Sequence, residues 1–287
     1  MRTTVARILA VLFALTWLVL PGFGLIDLSV TWDPEWPVVL EASWGVFMTV
    51  LVGGSFLAFA VRPERAAPAT ATLLVALASM LVSAAAGLEW QLLGYAALQA
   101  FEAAALLTVI PVREALRPVW AAWRPLLVVA ALASVPWLVH AARMFRANRA
   151  DAGPMIGELT MGVDHHAVQG ALALALPTLA VLAACWPRGR RYLGVSVGLC
   201  AGYLGLVSLA FPGTWAGLDL PWSALCITWG VTVAGLAVVA PRPWPPALSA
   251  AARAAPTSRA AAARPGRRGR WRTSGRRRRC RRAGRRG

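Results

Sequence analysis

Long hydrophobic runs, separated by short polar segments, dominate the first 240 residues of the chain. A helix needs about 20 mostly apolar residues to cross the hydrocarbon core of a bilayer. Eight runs are long enough, so the pattern predicts an all-α fold, a polytopic integral membrane helix bundle of about eight transmembrane helices. The predicted spans are residues 5–26, 39–61, 70–87, 91–110, 125–142, 166–186, 192–211 and 222–240.

The composition supports a membrane protein and divides the chain in two. Charged residues make up 14% of the 287 residues, whereas soluble domains contain about 25%. Residues 1–240 hold 13 Arg and all 12 acidic residues, and residues 241–287 hold the other 16 Arg and no acid. We therefore predict a transmembrane helical bundle over 1–240 and a disordered, Arg-rich cytoplasmic tail over 241–287, which has too few apolar residues to bury a core.

The arginines also predict orientation and compartment. With a cytoplasmic N-terminus, ten Arg of the bundle lie on the inner side and only Arg143, Arg146 and Arg149 on the outer side. The positive-inside rule then places both termini in the cytoplasm. The chain has no Lys and is rich in Ala, Gly, Pro and Arg, which is typical of GC-rich coding sequence. We therefore predict a multi-pass protein of a bacterial cytoplasmic (inner) membrane.

The lipid bilayer is one expected partner of the protein, and the Arg-rich tail suggests others. Each Arg near an anionic membrane surface contributes about 1 kcal/mol, so we expect the tail to bind anionic lipids. Nucleic acid is the weaker candidate, because only Trp244 and Trp271 are available there to stack on bases. An alternative interpretation is a misread reading frame, since GC-rich DNA read out of frame encodes the same residue mixture.

A polar stripe runs along the fourth predicted span. Gln91, Tyr95, Gln99 and Glu102 fall within an arc of about 80° on one helix face, with Glu102 near mid-membrane. An intramembrane carboxylate is costly and indicates function by default. The stripe predicts a hydrated polar pocket that opens outward. The alternative is a dry bundle in which a protonated Glu102 donates one buried hydrogen bond.

Two adjacent histidines, His165 and His166, begin the sixth predicted span directly after Asp164. Asp164 is placed to accept backbone N–H bonds as the N-cap of that helix, and the histidines would then be ordinary interfacial residues. The competing interpretation joins them with His140, Asp164 and Glu158 in an outer-face cluster able to bind Zn²⁺ or Cu²⁺. No HxxxH or HExxH spacing supports a metal, so we predict the cap and no metal or other cofactor.

A glycine face marks the seventh predicted span. Gly194, Gly198, Gly202 and Gly205 recur at helical spacing in an apolar segment, which is typical of close helix packing. The sequence leaves open whether the partner helix belongs to the same chain or to a second copy in a homo-oligomer.

These features favour a transporter-like membrane protein with its polar pocket along the fourth span. One alternative is a membrane-embedded enzyme or metal-binding protein that uses the outer His, Asp and Glu residues. Another is a structural or partner-binding membrane protein. The sequence shows no phosphate-binding Gly loop, nucleophile elbow or recognisable pair of catalytic carboxylates, which disfavours an enzyme. The substrate is not predicted.

Overall fold

The apolar runs form helices throughout the part of the chain that the structure describes. A computed structural model describes residues 2–33, 38–63, 66–109, 120–150 and 165–240. Within these ranges every regular element is a helix, and seven segments are long and apolar enough to cross a membrane. The predicted all-α polytopic membrane bundle is therefore confirmed. The predicted tail, 241–287, lies outside the described residues.

The helices are named in chain order. They are α1 (Arg2–Leu18), α2 (Gly24–Val30), α3 (Val38–Val46), a π-helical segment (Phe47–Gly53), α4 (Gly54–Val61), α5 (Ala67–Gly87), α6 (Leu92–Val109), α7 (Arg124–Arg149), α8 (His165–Cys185), α9 (Arg190–Ala210) and α10 (Leu220–Val239). The α3 helix, the π-helical segment and α4 form one continuous span, Val39–Val61. The other six spans are α5 to α10. Five of them begin and end within three residues of the predicted bounds, whereas α7 runs to Arg149, seven residues beyond the predicted end at 142.

The first predicted span differs from the structure. Instead of one helix over 5–26, α1 ends at Leu18 and a separate short helix, α2, begins at Gly24. Pro21 has no N–H to continue a helix. Gly22 lies so close to the preceding turn that a Cβ would be 2.5 Å from the Trp17 Cα. The chain turns here, and α2 becomes a separate element beside α3.

The α8 helix is the central helix of the bundle. In its most apolar stretch 72% of the residues are buried, compared with 22% for α7 and 28% for α10. It packs against α3, α5, α7 and α9. Its first residue, His165, therefore enters the protein interior and not the bundle surface, and this placement positions the candidate site.

The glycine face of α9 meets α10 of the same chain. A Cβ at Gly198 would lie 2.7 Å from the Ala234 Cβ and 2.8 Å from the Gly230 carbonyl oxygen. Gly194 and Gly205 approach α10 in the same way, whereas nothing lies within 4 Å of a Cβ built on Gly202. The close approach that the spacing predicted thus occurs within the chain.

Arg190 closes the other end of α8. Its guanidinium donates to the carbonyl oxygens of Ala183 and Ala184 in the last turn of α8, and to that of Ala121. The Trp123 ring lies 5.5 Å from the guanidinium carbon. A cation at a helix C-terminus satisfies carbonyls that have no partner within the helix. Arg190 therefore fixes α8 to the segment before α7.

Candidate functional site

Three carboxylic acids are buried in the described part of the chain. Asp27 on α2 is 8% exposed, Glu41 on α3 is 2% exposed and Glu102 on α6 is 3% exposed. Ionisable groups inside a membrane protein are expensive to bury and are usually retained for function. These three acids, and the side chains around them, define the candidate site.

Asp27, Glu41 and His165 form the first part of this site. The carboxyl groups of Asp27 and Glu41 are hydrogen-bonded to each other. The His165 Nδ1 atom lies 3.4 Å from the Glu41 Oε1 atom. Two carboxyl groups can share a hydrogen bond only when one of them carries a proton. The arrangement is therefore a proton-holding carboxyl pair with an imidazole beside it.

The surroundings of Asp27 favour its protonated form. Burial in the apolar bundle is the main cause, followed by the negative charge of Glu41 and the hydrogen bond with it. Together they raise the pKa of Asp27 from its ordinary value of 3.8 to about 9. These surroundings therefore favour a protonated Asp27 at neutral pH. Tyr95 is a further titratable group within electrostatic reach of Asp27.

The pair retains unused hydrogen-bonding capacity. The Asp27 Oδ2, Glu41 Oε1 and His165 Nδ1 atoms are buried and make no hydrogen bond to another described residue. Buried polar atoms are normally paired, and those that are not call for an explanation such as catalysis or ion binding. Glu41 Oε1 and His165 Nδ1 face each other at 3.4 Å, so a small shift would let a proton or a polar ligand bridge them.

Aromatic side chains connect this cluster to the third acid. The Trp44 ring stacks on His165 with 4.4 Å between ring centroids and an angle of 20°. The edge of Tyr95 meets Trp44 at 5.1 Å, and Tyr95 also packs against Trp17 at 6.3 Å. The Trp17 Nε1 donates to the Glu102 Oε2 at 2.5 Å. The Trp44–Tyr95–Trp17 aromatic layer thus lies between the Asp27–Glu41–His165 cluster and Glu102.

The four residues of the predicted polar stripe have different environments. Gln91 is exposed, and Tyr95 is half-buried in the aromatic layer. Gln99 is buried and donates from Nε2 to the Leu73 carbonyl oxygen. Glu102 is buried against Trp17. The structure therefore brings Tyr95 and Glu102 to a shared partner, Trp17, and leaves the two glutamines outside that cluster.

A small cavity lies beside Gln99, between α5 and α6. Its volume of about 20 Å³ is enough for a single water molecule. Apart from Gln99 and Thr70, its lining is apolar; it consists of Phe59, Leu73, Leu74, Leu77, Ala103 and Leu107. The cavity can therefore hold a water molecule beside the Gln99 amide, but it is too small for a larger solute.

The residues of the predicted outer-face cluster point to separate partners. The His140 Nε2 atom is hydrogen-bonded to the Gln169 Nε2 atom at 3.0 Å. The His166 Nε2 atom accepts a hydrogen bond from Trp215 Nε1 at 2.8 Å. His165 turns inward to Glu41. Among the described residues no group of three His, Cys, Asp or Glu side chains could hold a metal ion. The other two predicted members, Glu158 and Asp164, lie outside the described residues.

The sequence did not predict the acid pair or a hydrogen bond from α7 to the first turn of α8. Asp27 and Glu41 stood out only as acids on the outer side, because they are separated in sequence and lie on different helices. The bond to α8 comes from Asn148 on α7, whose Oδ1 accepts from the Ala167 backbone N–H while its Nδ2 donates to the Gly87 carbonyl oxygen. No sequence spacing marks such a bond, since it joins residues of three separate helices.

The chain matches no protein-family model, no curated protein and no solved structure. Its architecture and the arrangement of its buried acids are therefore the evidence on function. They show a multi-pass membrane helix bundle with a carboxyl pair and an imidazole inside it.

Proposed function

We propose that this protein is a transporter-like protein of a bacterial inner membrane whose activity depends on a proton held by the Asp27–Glu41–His165 site. The observation that carries the proposal is the hydrogen-bonded pair of buried carboxyl groups with His165 3.4 Å away. Protonated carboxyl and histidine groups inside a membrane bundle are characteristic of proton relays in pumps and transporters.

A purely structural role would not need these residues. Well-packed apolar side chains often stabilise a protein as well as a buried ionisable pair does, because burying the pair carries a desolvation cost. Here the cost includes three buried polar atoms without a hydrogen bond to a described residue. The cost of burying the pair is explained if proton binding and release at the site are part of the activity.

Interrupted helices beside the acids support transport. The break between α1 and α2 precedes Asp27, and the π-helical segment Phe47–Gly53 follows Glu41 in the same span. In transporters, substrate and coupling-ion sites are commonly built at breaks in membrane helices. π-helical turns also occur frequently at functional sites. Both interruptions flank the carboxyl pair.

Glu102 is the second proton-binding group in the proposal. It lies seven residues along α6 from Tyr95, which corresponds to about 10 Å deeper along the helix axis. Trp17 and Tyr95 separate it from the outer cluster. We infer that a proton passes between the outer pair and Glu102 when the aromatic layer between them rearranges.

The experiment is a pH jump applied to proteoliposomes on a solid-supported membrane, with the proton as the only probe. Raising the external pH from 7 to 10 should produce a transient current as Asp27 releases its proton. The Asp27→Asn and Glu41→Gln variants should lose that current, because neither can form the proton-sharing pair. The control is Asp219→Asn, which replaces the exposed acid at the N-cap of α10. Equal currents in Asp27→Asn and Asp219→Asn would refute the proposal.

A further inference from the structure

We propose that residues Phe211–Asp219, which join α9 to α10, form a lid over the Asp27–Glu41–His165 site and that His166 latches this lid to α8. The inference rests on the proposed function in one respect, since a proton-binding site needs controlled access to the aqueous side. The lid contacts each of the three elements that carry the site, which are α2, α3 and α8.

The first contact is with the end of α2, which carries Asp27. The Phe211 ring at the start of the lid lies 5.8 Å from the Trp32 ring, two residues after α2 ends. The Tyr203 hydroxyl on α9 donates to the Leu28 carbonyl oxygen in α2 at 3.1 Å. The beginning of the lid is thereby fixed beside the Asp27 helix.

The second contact is with the start of α3, which carries Glu41. A Cβ built on Gly217 would lie 3.6 Å from the Val39 Cγ2 atom. Val39 is fully buried and precedes Glu41 by two residues. The lid therefore covers the first turn of the Glu41 helix.

The third contact is with the first turn of α8, which carries His165. Trp215 in the lid donates from Nε1 to His166 Nε2 at 2.8 Å, and the Ala216 carbonyl oxygen accepts from Gln169 Nε2 at 3.0 Å. Adjacent residues on a helix point about 100° apart. His165 can therefore serve the acid pair while His166 holds the lid.

The closed form of the lid is held by α8 and not by its own backbone preferences. Ala216 has a φ of 58°, in the left-handed region that disfavours residues with a Cβ. Its carbonyl is the one that Gln169 binds. Strained residues of this kind persist where surrounding contacts determine their conformation, and they cluster at ligand clamps and switches. Loss of the two bonds to α8 should therefore release Trp215 and Ala216, while Leu218 N–H stays bonded to the Ser208 hydroxyl of α9.

The test measures access to the first turn of α3. In a chain whose native cysteines are replaced by Ala, Val39→Cys provides a buried reporter beneath the lid. The probe is a methanethiosulfonate that carries a trimethylammonium group, added from outside. Trp215→Phe keeps an aromatic ring but removes the Nε1 donor, and it should increase the reaction rate of the reporter about tenfold, which is of the order expected for loss of one hydrogen bond.

Trp222→Phe is the matched control. Trp222 is 47% exposed and Trp215 49% exposed, and both lie at the outer end of the bundle. Trp222 takes part in the α10 N-cap only through its backbone N–H. Its replacement should leave the reporter rate unchanged. Equal rates in the parent, Trp215→Phe and Trp222→Phe would overturn the lid, whatever the proton-binding experiments show.

A reversible cross-link tests the lid without weakening it. Cysteines at Val39 and Gly217 should form a disulfide on mild oxidation, because the side-chain atoms there are close enough. Infrared spectroscopy after transfer to D₂O then follows exchange of the Asp27 carboxyl proton. We expect at least tenfold slower exchange in the oxidised protein, with recovery after reduction. The same rate in both states would contradict the lid, whereas absence of any carboxyl band would contradict the proposed proton site and leave the thiol result to decide the lid.

Discussion

At the scale of single residues, two neighbouring histidines have different tasks. His165 stacks on Trp44 and approaches Glu41, whereas His166 binds Trp215 of the lid. From the sequence, the two histidines were predicted to be interfacial residues of a capped helix. Helical periodicity gives the direction of a side chain around the helix axis, but it does not show which residues of other helices that side chain contacts. The two histidines have different contacts because α8 lies at the centre of the bundle, and no local sequence pattern shows that position.

Asp27 should make stability depend on pH. Its pKa is 3.8 in an ordinary environment and about 9 in the folded protein, so between these values the folded state holds a proton that the unfolded state has released. The stability that Asp27 contributes is therefore full below about pH 4 and declines as the pH rises to about 9. Asp27→Asn should remove this decline.

The measurement is the unfolding temperature of detergent-solubilised protein at several pH values from 5 to 9. The difference between Asp27→Asn and the parent should grow in favour of the variant as the pH rises. Asp219→Asn, which changes an exposed acid, should follow the parent curve. A constant difference between Asp27→Asn and the parent across this range would show that Asp27 is not protonated in the folded state.

At the scale of elements, hydropathy predicted spans well and helix breaks poorly. The run from residue 5 to 26 stays apolar through Pro21 and Gly22, so a hydropathy pattern continues where the helix ends. That break forms α2 and brings Asp27 to Glu41, which lies fourteen positions later in the sequence. The acid pair could not be predicted because it depends on the break.

The α9–α10 packing predicts different costs for Ala substitution at two glycines of the same helix face. Gly198→Ala should cost about 1–3 kcal/mol of unfolding free energy, as overpacking does, because its Cβ would lie 2.7 Å from the Ala234 Cβ. Gly202→Ala should cost nothing, since its Cβ would have no neighbour within 4 Å. Chemical unfolding in mixed micelles measures both. A larger cost at Gly202 than at Gly198 would be inconsistent with this packing.

The closure of α8 by Arg190 makes a second prediction at this scale. Arg190→Ala removes the donor to the Ala183 carbonyl oxygen and leaves that of Ala184 with the Trp123 backbone N–H alone. It should lower the unfolding free energy by about 2 kcal/mol, the usual contribution of a hydrogen bond to a charged group. Arg191 is exposed, and Arg191→Ala is the control expected to have little effect. Equal effects of the two variants would contradict the proposed role of Arg190 at the C-terminus of α8.

At the scale of the whole molecule, the class of fold was predictable and the functional centre was only partly so. Apolar run length determined the membrane bundle, because the bilayer requires it. The predicted stripe drew attention to Glu102 and Tyr95, which do lie beside buried aromatic residues. Asp27, Glu41 and the lid come together only through contacts between distant segments, and one sequence without related sequences carries no signal of them.

Orientation is a further prediction for the whole molecule. In cells that express a cysteine-free chain, a cysteine at Gly217 should react with an impermeant thiol reagent from outside, because the arginine distribution places the α9–α10 connection there. A cysteine at Gly189 should react only after lysis. The reverse pattern would invert the topology and place the lid on the cytoplasmic side.

The central claim is that Asp27 holds a proton inside the bundle, and isotope-edited infrared spectroscopy tests it most directly. Protein labelled with ¹³C in the aspartate carboxyl groups should show a shifted C=O band of a protonated acid at neutral pH, which disappears as the pH rises through about 9. The band should be missing from Asp27→Asn and present in Asp219→Asn. A spectrum of labelled parent protein without a protonated aspartate band at pH 7, or a band unchanged in Asp27→Asn, would contradict the account.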